Sequence, residues 1–207
     1  MIGIVLTSFV LLGSSRLGTC IRVAALQGIL LGLLTLTAAS ESVLRAGILA
    51  VSSAGLKGII FPWLLSRALR EADVWRQVEP FVGYNLSLLI GTAALAASLW
   101  LAGRLPPPNP AASTLVFPVA LFTILAGLLL IVSRRKALTQ VIGYLVLENG
   151  IYMFGAGLVE DTPMLVELGV LLDLFVAVFV MGIAVFHINR EFDHIDTGRL
   201  TALRDWG

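Results

Sequence analysis

The sequence predicts an all-α integral membrane protein of about seven transmembrane helices, with its N-terminus outside and its C-terminus in the cytoplasm. Three observations carry this. Of 207 residues, 58% are hydrophobic and 13% charged, with mean hydropathy +0.96, whereas a soluble domain carries about 25% charged residues and needs them to face water. Apolar runs recur at about the 20-residue length that spans a bilayer. The cations gather in alternate connections, as the positive-inside rule requires.

The first predicted helix, 1–17, is short, and Arg16 snorkels from its end. No Lys or Arg precedes the apolar run, as a signal peptide would require. LGTC, 17–20, faintly resembles a lipoprotein cleavage box, but Thr19 stands where Gly, Ala or Ser is wanted, so the chain reads as mature from Met1. The second helix, 19–39, carries Gly28 and Gly32 as a GxxxG pair that admits a close neighbour, with Gln27 beside it as interhelical glue. The third, 42–68, contains Lys57 and then Pro62, whose missing N–H predicts a kink or a locally opened turn. RALREADVWRQVEP, 67–80, is a solvated loop or surface helix, or a docking surface for a peripheral partner. The fourth helix, 81–102, closes with the stiff turn GRLPPPNP, and the fifth, 111–132, has Pro118 near its start and no ionisable group. SRRKA, 133–137, is a short cationic turn. The sixth helix runs over 138–159, EDTP turns the chain, and the seventh runs over 163–188 before an amphiphilic tail.

Charge tests that count. With the N-terminus outside, seven spans place Arg16, Arg22, Arg67, Arg70, Arg76, Arg134, Arg135, Lys136, Arg190, Arg199 and Arg204 on the cytoplasmic side, and only Arg45 and Arg104 outside. One span more or fewer would put successive cationic loops on the wrong side. A net charge of +1 gives no reason to invoke nucleic acid. Cys20 is the only cysteine, which excludes an intrachain disulfide and a cysteine-held cluster. His187 and His194 are too few and too close together for the paired ligands of a membrane haem. The expectation is a cofactor-free chain through which electrons do not pass.

The chemistry lies where charge enters apolar sequence. A carboxylate at a bilayer centre costs about 3 kcal/mol on insertion scales, so such residues face a protein interior or a water-filled path, and proton relays are a common use. By helical rise, Glu148 on helix six, Asp173 on helix seven and Lys57 on helix three fall at similar depth near the midplane. They read either as a lateral chain of titratable sites or as unrelated structural residues. Lys136, Gln140, Tyr144, Glu148 and Tyr152 recur at spacing four along one face of helix six. That stripe is fit to carry protons inward from the cytoplasmic turn; alternatively its tyrosines are ordinary packing residues. Asn149 is placed to bond across helices. Asp173 and His187 share a face, with His187 near the cytoplasmic boundary, where it either exchanges protons with water or is an ordinary interfacial histidine. Glu167 is shallower and rotated away from Asp173, serving an outer path or holding the outer loop near Asp161.

QVIGYLVLENGIYMFG followed by LVELGVLLDLFVAVFVMGI resembles the hydrogenase-4 membrane component E family, as do LKGIIFPWLLSRALRE and the terminal LTAL. Helices five to seven further resemble the three-helix K-type subunit of complex I and of multisubunit cation/proton antiporters. The resemblance implies a four-helix membrane region at 1–110, a K-type-like region at 111–190 and a cytoplasmic tail at 191–207. Glu148, in LEN, matches the carboxylate of the K-type second helix, and Asp173 that of the third, where the K-type subunit has glutamate. Glu167 belongs to the component E pattern, and Lys57 has no K-type counterpart.

The function implied is a non-catalytic subunit of a group 4 nickel–iron hydrogenase or formate hydrogenlyase-type complex in the cell inner membrane. Its expected partners are an antiporter-like proton channel subunit, the membrane anchor of the hydrogenase module, other subunits of the complex and the lipid bilayer. Glu148, Asp173 and Lys57 would form the proton relay, with Glu167, Tyr144 and His187 beside it and Gln140 and Tyr152 on an access path. Two alternatives stand: a purely structural scaffold, and a component of a multisubunit Na⁺/H⁺ antiporter.

Overall fold

The computed structural model describes residues 1–38, 55–71, 81–104 and 114–158. Among them the regular structure is helical: α1 (Ile2–Gly13), α2 (Leu17–Ala38), a π-helical turn (Leu56–Ile60) running into α3 (Phe61–Glu71), α4 (Tyr84–Ala102), α5 (Val116–Ser133) and α6 (Ala137–Leu158). Three are long and apolar enough to cross a membrane, through Leu17–Leu34, Tyr84–Ala102 and Val116–Ser133. The 22-residue α6 is as long as α2 and carries Gln140, Glu148 and Asn149 along its length.

The first helix departs from expectation. α1 has 12 residues and stops at Gly13, where Ser14 turns extended with φ −80 and ψ 133. At ~1.5 Å per residue this is about 18 Å, short of the ~30 Å hydrocarbon core. Ser14 Oγ accepts from Arg16 N at 3.4 Å, so a serine side chain takes a backbone donor that a continuing helix would have used. In the third segment the π-helical turn ends two residues before Pro62, whose ring nitrogen cannot donate to the carbonyl of Gly58. The predicted seventh helix and the tail lie outside the described residues.

On α1 and α4 large apolar side chains face outward while hydroxyls are buried, unlike a water-soluble bundle. On α1, Ile2, Leu6 and Val10 face outward while Thr7 and Ser8 are buried. On α4, Leu86, Leu89, Ile90 and Trp100 are exposed, and the buried residues are Ser87, Gly91 and Ser98. In lipid, large apolar side chains gain nothing by turning inward, and helices associate through small residues that let backbones approach. Two of the buried hydroxyls bond their own helix, Thr123 to the carbonyl of Val119 at 2.7 Å and Ser98 to that of Ala94 at 2.8 Å.

The tightest approach is between α5 and α6. A methyl carbon on Gly127 would lie 2.5 Å from Leu147 N, one on Gly143 would lie 2.9 Å from Ile131 N, and one on Gly150 would lie 2.7 Å from Ile124 N. Backbone meets backbone at three levels, which fixes both the rotation and the register of α6.

Arg134 gathers the helix ends. Its side chain is fully buried; Nη2 donates to Leu12 O at 2.6 Å and Nη1 to Val82 O at 3.5 Å, and the guanidinium stands 4.9 Å from the Tyr84 ring centroid. Phe81 N donates to Ser133 O at 2.8 Å. The ends of α1 and α5 thus meet the beginnings of α4 and α6. Burial lowers the Arg134 pKa from its ordinary value, and the facing Tyr84 and Cys20 pull it back up. The sequence reading of 133–137 as a short cationic turn holds, and the structure adds that its cations differ: Arg135 is exposed, whereas Arg134 is an interior clamp.

Gly127→Ala is expected to lower the stability of the purified protein by about 1–3 kcal/mol, since its methyl meets backbone that cannot move aside. Gly18→Ala, with nothing within 4 Å of the added carbon, is expected to be neutral or to stabilise by up to about 1 kcal/mol through helix propensity. Thermal unfolding of the two variants in detergent against the parent measures the difference.

Candidate functional site

Gly28, the first glycine of the α2 GxxxG pair, receives the π-helical turn. A methyl on Gly28 would lie 2.7 Å from Lys57 Cβ, and one on Gly58 would lie 2.7 Å from Ile29 Cγ1. This close approach brings the Lys57 stem past α2 toward α6, on a type of helical irregularity that recurs at functional sites.

On α6 the lysine meets its counter-charge. Lys57 Nζ stands 2.9 Å from Glu148 Oε1, with the two side chains only 7% and 3% exposed. Nζ also donates to Asn149 Oδ1 at 3.2 Å and lies 5.8 Å from the centroid of the Tyr152 ring. Asn149 Nδ2 donates to Gln27 Oε1 at 3.4 Å. Gln27 Nε2 donates to Ser8 Oγ at 3.0 Å and reaches Ile4 O at 3.5 Å. The Ser8 and Thr7 hydroxyls donate to that same Ile4 carbonyl at 2.9 and 2.8 Å. One polar cluster therefore joins the π-helical turn, α6, α2 and α1 inside an apolar bundle. A buried ion pair repays its desolvation only when its geometry is good and its remaining polar atoms are bonded. Here the short contact and the bond from Nζ to Asn149 Oδ1 offset part of that cost. Chemically the pair offers a proton donor and a proton acceptor in contact, with no metal-ligand set of histidine, cysteine or carboxylate among the described residues.

The structure brings together Lys57, Glu148 and Tyr152 of the expected site. Gln140 is at the far end of α6, where its Nε2 donates to Arg134 O at 3.1 Å, and Tyr144 is half-buried against the main apolar core. Asp173, Glu167 and His187 lie outside the described residues. Sequence reasoning placed Gln27 beside the glycine pair as glue and missed that it faces Asn149. It also missed the glycines that orient α6, although Gly143 and Gly150, seven residues apart on one helical face, were the available signal.

Lys57→Met is expected to destabilise by about 3–5 kcal/mol, because it leaves a charge buried without its partner. Adding Glu148→Leu is expected to return much of that loss. Thermal unfolding of the two single variants and the double variant gives the coupling, and additive losses would deny that the pair acts as a unit.

Comparison with known proteins gives two kinds of relative. The chain is 31% identical over 205 residues to an uncharacterized protein, Rv0085, of Mycobacterium tuberculosis (strain ATCC 25618 / H37Rv), covering 98% of this chain and 93% of that protein. It is 33% identical over 150 residues to hydrogenase-4 component E of Escherichia coli (strain K12), covering 72% of this chain and 68% of the relative, and matches the Shigella flexneri component E equally. No family model matches the chain, and no solved structure matches it. Identity at this level over two thirds of both proteins places the molecule: the chain belongs to the hydrogenase-4 component E family.

Proposed function

We propose that this chain is a cofactor-free, non-catalytic membrane subunit of a group 4 nickel–iron hydrogenase or formate hydrogenlyase-type complex, and that it relays protons between the redox module and an antiporter-like subunit. The observation that carries the reading is the buried Lys57–Glu148 contact of 2.9 Å, set across helices in a bundle with apolar outer faces. Its support from comparison is the name of the Escherichia coli relative, hydrogenase-4 component E.

In this reading the proton rests on Lys57 or on Glu148 according to the charge and hydration of the neighbouring subunit. Asp173 continues the relay on a seventh helix, with Glu167 and His187 toward its two ends, and Tyr144, Tyr152 and Gln140 lie along the cytoplasmic approach. The chain crosses the inner membrane seven times, N-terminus outside, the first pass being short. Its 1–110 region is a four-helix membrane region, 111–190 is a K-type-like three-helix region, and 191–207 is a cytoplasmic tail. The antiporter-like channel subunit and the anchor of the hydrogenase module are its direct partners. The clustering of the α1 and α5 ends with the α4 and α6 beginnings around Arg134 supports alternating passes.

A scaffold reading is favoured by one observation, the anchoring of the pair through Asn149 and Gln27 to a backbone carbonyl. Proton translocation by the intact complex in sealed vesicles separates the two. With subunit content and uncoupled redox turnover matched to the parent, Glu148→Gln is expected to reduce protons moved per turnover by about 100-fold, the low end of what a positioned proton-transfer group contributes. Unchanged translocation would leave the pair a structural brace.

A further inference from the structure

We propose, on the relay reading given above, that Gln27 is a positioning residue: it fixes which way the Asn149 amide points, and thereby holds Lys57 against Glu148 for proton exchange.

The polarity of the cluster is set at its far end. Ile4 O is a carbonyl and can only accept, and it already takes the hydroxyls of Thr7 and Ser8 at 2.8 and 2.9 Å. A glutamine oxygen beside it would face oxygen with no proton between. Gln27 therefore presents its NH₂ there, 3.0 Å from Ser8 Oγ and 3.5 Å from Ile4 O, and its Oε1 points away. That oxygen in turn only accepts, so Asn149 turns Nδ2 toward it at 3.4 Å and leaves Oδ1 facing Lys57 Nζ at 3.2 Å. Each step removes one of two amide orientations.

An acceptor facing Nζ has two effects. Ammonium and neutral amine both carry N–H, so the bond to Asn149 survives a change in the charge of Lys57. A carboxamide oxygen is too weak a base to keep the proton, so of the two α6 partners Glu148 is the one that takes it. In the transfer an Nζ–H bond breaks, its electron pair stays on nitrogen, and an O–H bond forms on Glu148 Oε1. An ion pair becomes a neutral pair, with the new lone pair of the amine facing the new O–H. The reverse step is thus already aligned. A flipped Asn149 would repel the ammonium with its NH₂, donate to the amine lone pair and draw Lys57 away from the carboxyl. Among the described residues the ionisable groups facing Lys57 are Glu148 and Tyr152, both on α6; α1 and α2 bring the neutral Ser8 and Gln27.

The test uses the intact complex in sealed vesicles, reading protons moved per turnover. Gln27→Met, of similar length but without donor or acceptor, is expected to lower the yield about tenfold, the effect of one lost hydrogen bond to a charged group's partner. Gln27→Glu is expected to keep most of it, because a buried acid in its protonated form offers the same acceptor and donor. In an Asn149→Leu background Gln27→Met is expected to add no further loss. A normal yield in Gln27→Met, or an equal extra loss in the Asn149→Leu background, would overturn the positioning role. A second measurement stands on Gln27→Glu alone: its infrared difference spectrum is expected to gain a protonated-carboxyl band, and an ionised carboxylate there would overturn the orientation argument. If Glu148→Gln retains translocation, the relay reading itself fails; if only the Gln27 variants behave as the parent does, this inference fails alone.

Discussion

The contact on which the rest depends is the meeting of bare backbones along α5 and α6. Gly127 presses on Leu147, Gly143 on Ile131 and Gly150 on Ile124, and none of the three sites has room for even one methyl group. Positions 143, 147 and 150 form one face of α6. With that face committed to α5, Glu148, Asn149 and Tyr152 fall on the other side of the helix, where α2 and the π-helical turn arrive. The polar cluster is thus oriented by residues that carry no chemistry of their own.

A second constraint is solvation by lipid. Where the surroundings are apolar, burying leucine gains little, and the interior is free to hold what lipid cannot. This explains why α1 turns Thr7 and Ser8 inward and why α4 buries Ser87, Gly91 and Ser98 beneath an outer face of leucine and tryptophan. It also explains Arg134. A guanidinium that finds two backbone carbonyls at the ends of other helices and an aromatic face is better placed inside the protein than beside hydrocarbon.

Much of this was legible in the residues. Lys57 and Glu148 announce themselves because each stands alone in an apolar run, and their common depth already suggested that they meet. The GxxxG pair of α2 foretold a close neighbour, and Pro62 foretold an irregular turn beside Lys57. What escaped has physical reasons. Nothing separates Arg134 from Arg135 in a run of three cations until the exit direction of α5 is known. The stop of α1 at Gly13 leaves no mark in hydropathy, because Ser14 breaks the helix by hydrogen bonding rather than by charge. The role of Gln27 depends on which way an amide faces, which is a property of the assembled cluster and not of any segment.

The shortness of the Lys57–Glu148 contact has an electrical consequence. A transmembrane potential does work of about 2.3 kcal/mol per elementary charge and 100 mV only when the charge crosses the whole bilayer. A proton passing over the 2.9 Å between Nζ and Oε1 covers at most about a tenth of a ~30 Å hydrocarbon core. Even if that step lay along the membrane normal, the field would bias it by only about 0.2 kcal/mol per 100 mV. On the proposed relay, exchange within the pair would be almost blind to membrane voltage, and a pump built around it would do its electrical work on the longer segments that lead to and from it.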